Sequence, residues 1–181
     1  MLVQVCGLPG TGKSTIAAAI ADRRPVVLLR IDAIEAALWR NGLTPEQTGI
    51  AAYSVAHAVA LPHLQRGQTV LADAVSAVEA ARDGWRGTAQ RAGVELRVIE
   101  TTCSDLDEHH RRVTTRVTDL AGFTPPTWEQ VQATVDQYET RTDERLVLDT
   151  CHDLDACVRN ALDYLDQGRP ALRRDAGDAQ L

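Results

Sequence analysis

The sequence predicts an α/β fold: a doubly wound sheet of five parallel strands with helices on both faces. Three observations predict it. Short β-rich apolar runs alternate with longer helical stretches, the run Val26–Ile31 is apolar almost without interruption, and a glycine-rich turn joins the first run to the first helix. Alternating strand and helix periods imply strand–helix–strand crossovers, which stack helices on both faces of a parallel sheet. A near-continuous apolar run suits a strand buried on both sides.

The elements follow in order. Leu2–Cys6 reads as the first strand and Lys13 to about Arg23 as the first helix, which Pro25 stops. Val26–Ile31 is the second strand, followed by a helix near Asp32–Arg40 and a break at Asn41-Gly42. Thr44 before Pro45 is a helix start, and that helix runs to about Gln65 with Pro62 as a kink. Thr69–Ala72 is the third strand with Asp73 at its carboxyl end, then Glu79–Ala92 a helix closed by Gly93. Val94–Thr101 is the fourth strand, and Ser104 caps a helix to about Val117. Thr118–Thr127 is loop-like, Trp128–Thr140 a helix, Leu146–Leu148 the fifth strand and Leu154–Leu165 the last helix. One domain over 1–167 is expected, with 168–181 a disordered polar tail.

Composition sets bounds. The 181 residues are 44% hydrophobic and 24% charged, enough for one core, and with aromatics at 4% that core is aliphatic. A net charge of −6 disfavours a nucleic-acid face, which needs clustered basic residues. No apolar run approaches a membrane span and the start lacks a signal-peptide pattern, so a cytoplasmic protein, monomer or homodimer, is expected. Cys6, Cys103, Cys151 and Cys157 have no metal spacing and read as buried free thiols; the five histidines form no zinc motif.

Gly7-Leu8-Pro9-Gly10-Thr11-Gly12-Lys13-Ser14 fits G-x-x-x-x-G-K-[ST] between a strand and a helix. Glycines let successive amides turn inward around phosphate oxygens, and the following helix adds its positive N-terminal end. Gly7, Pro9, Gly10, Thr11, Gly12, Lys13, Ser14 and Thr15 are therefore expected to hold ATP, with Lys13 at the β- and γ-phosphates and Ser14 on Mg²⁺. Lys13 is the only lysine; every other basic side chain is arginine. The exception falls where a compact ammonium is needed rather than a planar fork.

Asp32 at the end of the second strand is the candidate to orient an acceptor hydroxyl and take its proton. Asp73, at the end of the third, is the second candidate for the magnesium shell. Glu35 and Glu79 are nearby acids with weaker claims. Arg112 and Arg116 share a helix face before the Pro-containing loop and are expected to balance charge on the transferring group, with Arg111 pointing elsewhere. Residues of about 112–127 read as a lid hinged at Gly122.

Together, residues 7–15 (GLPGTGKST), Asp32, Asp73, the Arg112/Arg116 pair and Leu146-Val-Leu-Asp-Thr150 resemble a group of small adenylate-kinase-like P-loop kinases. These are often described only as an ATP-binding AAA domain; zeta toxins, chloramphenicol phosphotransferase and polynucleotide kinases are among them. The resemblance covers about Leu2–Leu165. It implies the P-loop NTPase fold with strand order 2-3-1-4-5, a small helical lid, ATP as donor and Asp32 as base. The departures are as specific. Polynucleotide kinases of the group carry arginine where this chain has Glu35, and adenylate kinases carry Asp-Gly-x-Pro-Arg where it has Asp73-Ala74-Val75-Ser76-Ala77. The expected enzyme is thus a kinase for a hydroxyl on a small, neutral or cationic molecule. The alternatives are a polynucleotide 5′-hydroxyl kinase and, from another class, a nucleotide-hydrolysing switch or ATPase. A guanine-specific switch would need a second lysine.

Overall fold

The computed structural model describes residues 1–167; the expected tail, 168–181, lies outside the described residues. The elements are β1 (Leu2–Cys6), α1 (Lys13–Ala21), β2 (Val27–Arg30), α2 (Ile31–Arg40), α3 (Pro45–Gln65) and β3 (Val70–Asp73). They continue as α4 (Glu79–Ala92), β4 (Leu96–Thr102), α5 (Leu106–Thr115), α6 (Trp128–Gln137), β5 (Leu146–Asp149) and α7 (Leu154–Asp166). The sheet is wholly parallel in the order β2-β3-β1-β4-β5, as expected. Among the described residues no helix is long and apolar enough to cross a membrane.

Both sheet faces are dry. Along β1 the side chains alternate: Val3 and Val5 pack with Ile16, Ile20, Val158 and Leu165 from α1 and α7. Leu2 points the other way, into Ala56, Ala60, Leu64 and Trp85 of α3 and α4. This two-sided burial is why the strands read as apolar runs without polar alternation. On the second face the small residues Ala52, Ala56 and Ala60, four apart on α3, are fully buried. Gly84 of α4 meets this helix so closely that a Cβ there would lie 2.6 Å from His57 Nε2.

Register fixes where the site must be. Arg30 and Val5 both pair with Asp73, Cys6 pairs with Glu100 and Thr102 with Asp149, so the strands' carboxyl ends form one edge. The chain order reverses there on either side of β1, which is the crevice where open α/β sheets bind ligands. The opposite edge carries a cavity of about 540 Å³ lined by Met1, Arg24 and Pro25, but no residue of the glycine loop or the carboxyl ends reaches it.

Several boundaries differ from expectation for local reasons. Helix geometry begins at Ile31, so Asp32 lies in the first turn of α2 instead of ending β2. Pro62 is accommodated inside a continuous α3. Asp105, not Ser104, caps α5 by accepting from the Glu108 amide at 3.0 Å, while Ser104 Oγ bonds to Asp149.

Candidate active site

The glycine loop has the geometry its sequence requires. Gly7, Gly10 and Gly12 have φ of 133°, 84° and 84°. A Cβ at Gly7 would lie 2.2 Å from the Thr101 carbonyl, and one at Gly10 would lie 2.6 Å from Val113 Cγ2. Only glycine satisfies both backbone and space there. α1 starts directly from the loop at Lys13, so its free N-terminal amides and its dipole face the same concavity.

Lys13 is buried, and its Nζ donates to the Leu8 carbonyl at 2.9 Å across the loop. Burial pushes its pKa down, opposed by the charges of Asp73 and Asp32. Ser14 Oγ donates to Asp73 Oδ2 at 2.6 Å. Asp73 is buried, and desolvation raises its carboxyl above the ordinary range against the pull of Lys13 and the Ser14 hydroxyl. A hydroxyl and a carboxylate with space for phosphate oxygens and water form the hard oxygen set that suits Mg²⁺. Arg30 Nε approaches Asp73 Oδ2 at 3.8 Å.

Two cavities meet above the loop. The first, about 510 Å³, is lined by Gly10, Gly12, Lys13, Ser14, Arg112 and Thr150 among others. The second, about 610 Å³, is lined by Glu35, Trp39, Leu43, Phe123 and Pro126 among others. Lys13, Asp32 and Arg116 line both.

Arg116 Nη2 lies 3.4 Å from Asp32 Oδ2, so the expected base and one expected arginine are partners at the junction. Arg112 is held more firmly: it donates to Glu108 Oε1 at 2.7 Å and to Thr150 Oγ1 and O at 2.8 and 2.9 Å. Thr150 Oγ1 is itself 2.9 Å from the Thr11 carbonyl, which ties the loop after β5 to the glycine loop. Arg111 reaches the rim of the first cavity, contrary to the direction expected for it, and pairs with Glu108. Glu79 belongs to neither cavity: it is engaged by Arg82 and Arg86 on α4.

The segment after α5 lies against α2. Arg30 binds Asp119 through both Nη atoms, at 2.7 and 3.2 Å, Arg40 Nη1 donates to the Ala121 carbonyl at 2.6 Å, and Phe123 stacks on Trp39 with centroids 5.2 Å apart. Gly122, at φ 79°, fits because a Cβ would come within 2.7 Å of Arg40 Cγ.

Some site residues were not foreseen. His109 is buried with Nε2 2.8 Å from the Pro9 carbonyl and its ring edge-on to Trp128. The free thiols of Cys103 and Cys151 lie 2.9 Å apart beside the loop after β5. The wall formed by Trp39, Leu43 and Phe123 was also missed, although Phe123 is the only phenylalanine in the chain and stands in a polar loop.

No curated protein sequence matches the chain. Solved structures share its fold: a sugar kinase from Janibacter sp. HTCC2649 has a TM-score of 0.68 at 20% identity, covering 91% of this chain and 94% of that one. A gluconokinase from Sinorhizobium meliloti 1021 has 0.63 at 22%, covering 90% of each. The Mycobacterium tuberculosis APS kinase CysC, solved with AMPPNP and APS, has 0.65 at 19%, covering 91% and 96%. At such identities the likeness establishes a P-loop NTPase fold. A family profile described as an AAA domain matches residues 2–150, most of the chain, and with the glycine loop and strand order above it places the protein in the AAA-domain family.

Proposed function

We propose that this chain is a phosphotransferase that takes the γ-phosphate of ATP·Mg²⁺ and passes it to a hydroxyl of a small molecule. The observation that carries the reading is the junction: Lys13, Asp32 and Arg116 line both the phosphate cavity and the second, apolar-walled one. A donor and an acceptor held in those two spaces would meet at these three side chains. The sugar kinase, gluconokinase and APS kinase of the same fold agree with it.

The chemistry follows from positions. Loop amides, the α1 N-terminus and Lys13 hold the β- and γ-phosphates, Lys13 exchanging its Leu8 carbonyl partner for phosphate oxygen. Ser14 and Asp73 would hold Mg²⁺, which when bound neutralises charge on the phosphate oxygens. Asp32 orients the acceptor hydroxyl and takes its proton as the oxygen bonds to phosphorus and ADP leaves. Arg116 and Arg112 sit where they balance charge on the phosphoryl group in flight.

The polynucleotide alternative gains no support, because Arg116 is the only arginine among the described residues that line the second cavity and it is already beside Asp32. The test is ADP release with ATP·Mg²⁺ against a panel of hydroxyl compounds and a 5′-hydroxyl oligonucleotide, with product mass as confirmation. Acceptor-dependent ADP and a phosphate monoester are expected. ADP release indifferent to every acceptor would transfer the chain to the hydrolysing switches and ATPases.

A further inference from the structure

The second cavity has a chemical character of its own. Its α2 wall carries two carboxylates, of which Asp32 faces both cavities and Glu35 only the second. Residues three apart on a helix share a face, with Cβ atoms roughly 5–6 Å apart. Glu35 therefore lies about one turn beyond the transfer point. Asp32 has Arg116 beside it, whereas Glu35 makes no hydrogen bond or ion pair among the described residues. Trp39, Leu43, Pro45, Val75, Phe123 and Pro126 supply an apolar wall, and the cations that reach the cavity, Lys13 and Arg116, are both at its phosphate end. A half-buried carboxylate with no counter-ion is costly, and a cationic ligand recovers that cost.

Resting on the phosphotransferase reading, we propose that the acceptor is an amphipathic amino alcohol. Its hydroxyl meets Asp32 beside Lys13, its protonated amine meets Glu35 one helical turn away, and its apolar body lies against Trp39, Leu43 and Phe123. Anionic acceptors fare badly in the same space, since they meet two carboxylates and no cation beyond those needed for phosphate. Titration agrees with the geometry. Burial, and after it the charge of Asp32, holds the Glu35 carboxyl up at about 7. The other groups around it are Lys13 from α1, Arg116 after α5 and Tyr53 from α3. An ammonium in contact favours the carboxylate and lowers that value.

The experiment compares three molecules of one skeleton: 3-amino-1-phenylpropan-1-ol, the neutral 1-phenylpropan-1-ol and the anionic 3-hydroxy-3-phenylpropanoate. Each is titrated by calorimetry into the full chain loaded with a non-hydrolysable ATP analogue and Mg²⁺, whose own binding is measured first. The amine is expected to bind at least about tenfold more tightly than either relative, consistent with a charge-assisted contact. In Glu35→Gln that preference should fall to within about twofold, and Glu35→Asp should restore part of it. Equal binding of the three, tighter binding of the neutral or anionic compound, binding of none, or a preference that survives in Glu35→Gln would each overturn the assignment. Retained nucleotide binding with no amine preference sinks this inference alone. Failure of the nucleotide to bind sinks the phosphotransferase reading beneath it as well.

Discussion

Lys13 is buried with its ammonium turned to a backbone carbonyl of its own loop, a weak substitute for the phosphate oxygens proposed as its partners. Lys13→Met should therefore remove transfer by a factor of about 10³ or more while the protein stays folded. A folded variant that kept half of the wild-type turnover would show that the loop does not hold the transferring phosphate. Lys13→Arg should fail too, because the planar fork cannot occupy a space shaped for an ammonium packed under Leu8. Asp32 tests a different step. Asn at this position keeps shape but takes no proton, so turnover should fall by roughly 10²–10⁴. ATP·Mg²⁺ affinity, read by calorimetry, should persist, since Ser14, Lys13 and the loop amides are untouched. Loss of nucleotide binding in a folded Asp32→Asn protein would move Asp32 to the metal site. Full turnover would leave it as a first-turn carboxylate stabilising α2.

At the scale of elements, the segment between α5 and α6 matters because it brings Phe123 to the wall of the second cavity, the proposed acceptor site. Its grip on the end of β2 and on α2 is the Arg30–Asp119 pair, the Arg40–Ala121 bond and the parallel Trp39–Phe123 rings. Ion pairs at this exposure contribute little, whereas a stacked aromatic pair is worth about 0.5–1.5 kcal/mol beyond its buried area. Phe123→Ala should thus raise the acceptor KM by about 3–10-fold and leave ATP affinity near wild type; an unchanged acceptor KM would remove the segment from the acceptor site. The same segment shows what the sequence could reveal. The phosphate loop was legible because its glycines, Lys13 and Ser14 are contiguous and each answers a local backbone or charge requirement. The sheet was legible because two-sided burial leaves apolar runs. The wall of the second cavity was not, since Glu35, Leu43, Phe123 and Pro126 come from separate segments joined only in the fold. Asp119-Leu120-Ala121-Gly122 is the part of the segment that fastens to Arg30 and Arg40.

For the molecule as a whole, the site costs the empty fold some of its stability. Desolvation displaces Lys13 downward and Asp73 and Glu35 upward, each against its own charged form, so the ligand-free protein carries charges that it solvates poorly. Glu35 allows this cost to be measured, because among the described residues it has no hydrogen-bond or ion-pair partner whose loss would confuse the result. Its carboxyl is held at about 7 in the fold, against about 4.3 in an unfolded chain. Between those values the folded state binds more protons than the unfolded state, so stability falls as pH rises through this window. The penalty is complete above about 7 and absent below about 4. Lys13 acts in the opposite sense below the ordinary lysine range, because its lowered pKa leaves the unfolded state binding more protons there, and Asp73 acts in the same sense as Glu35. Comparing wild type with Glu35→Gln cancels both. The neutral side chain should stabilise the ligand-free protein by about 1–2 kcal/mol at pH 8, after allowing for solvent screening of a half-buried group, and by much less at pH 5. Urea unfolding at the two pH values measures the difference directly. A Glu35→Gln protein no more stable than wild type at pH 8 would mean that solvent reaches the carboxylate freely. The second cavity would then be too wet to favour a charged amine.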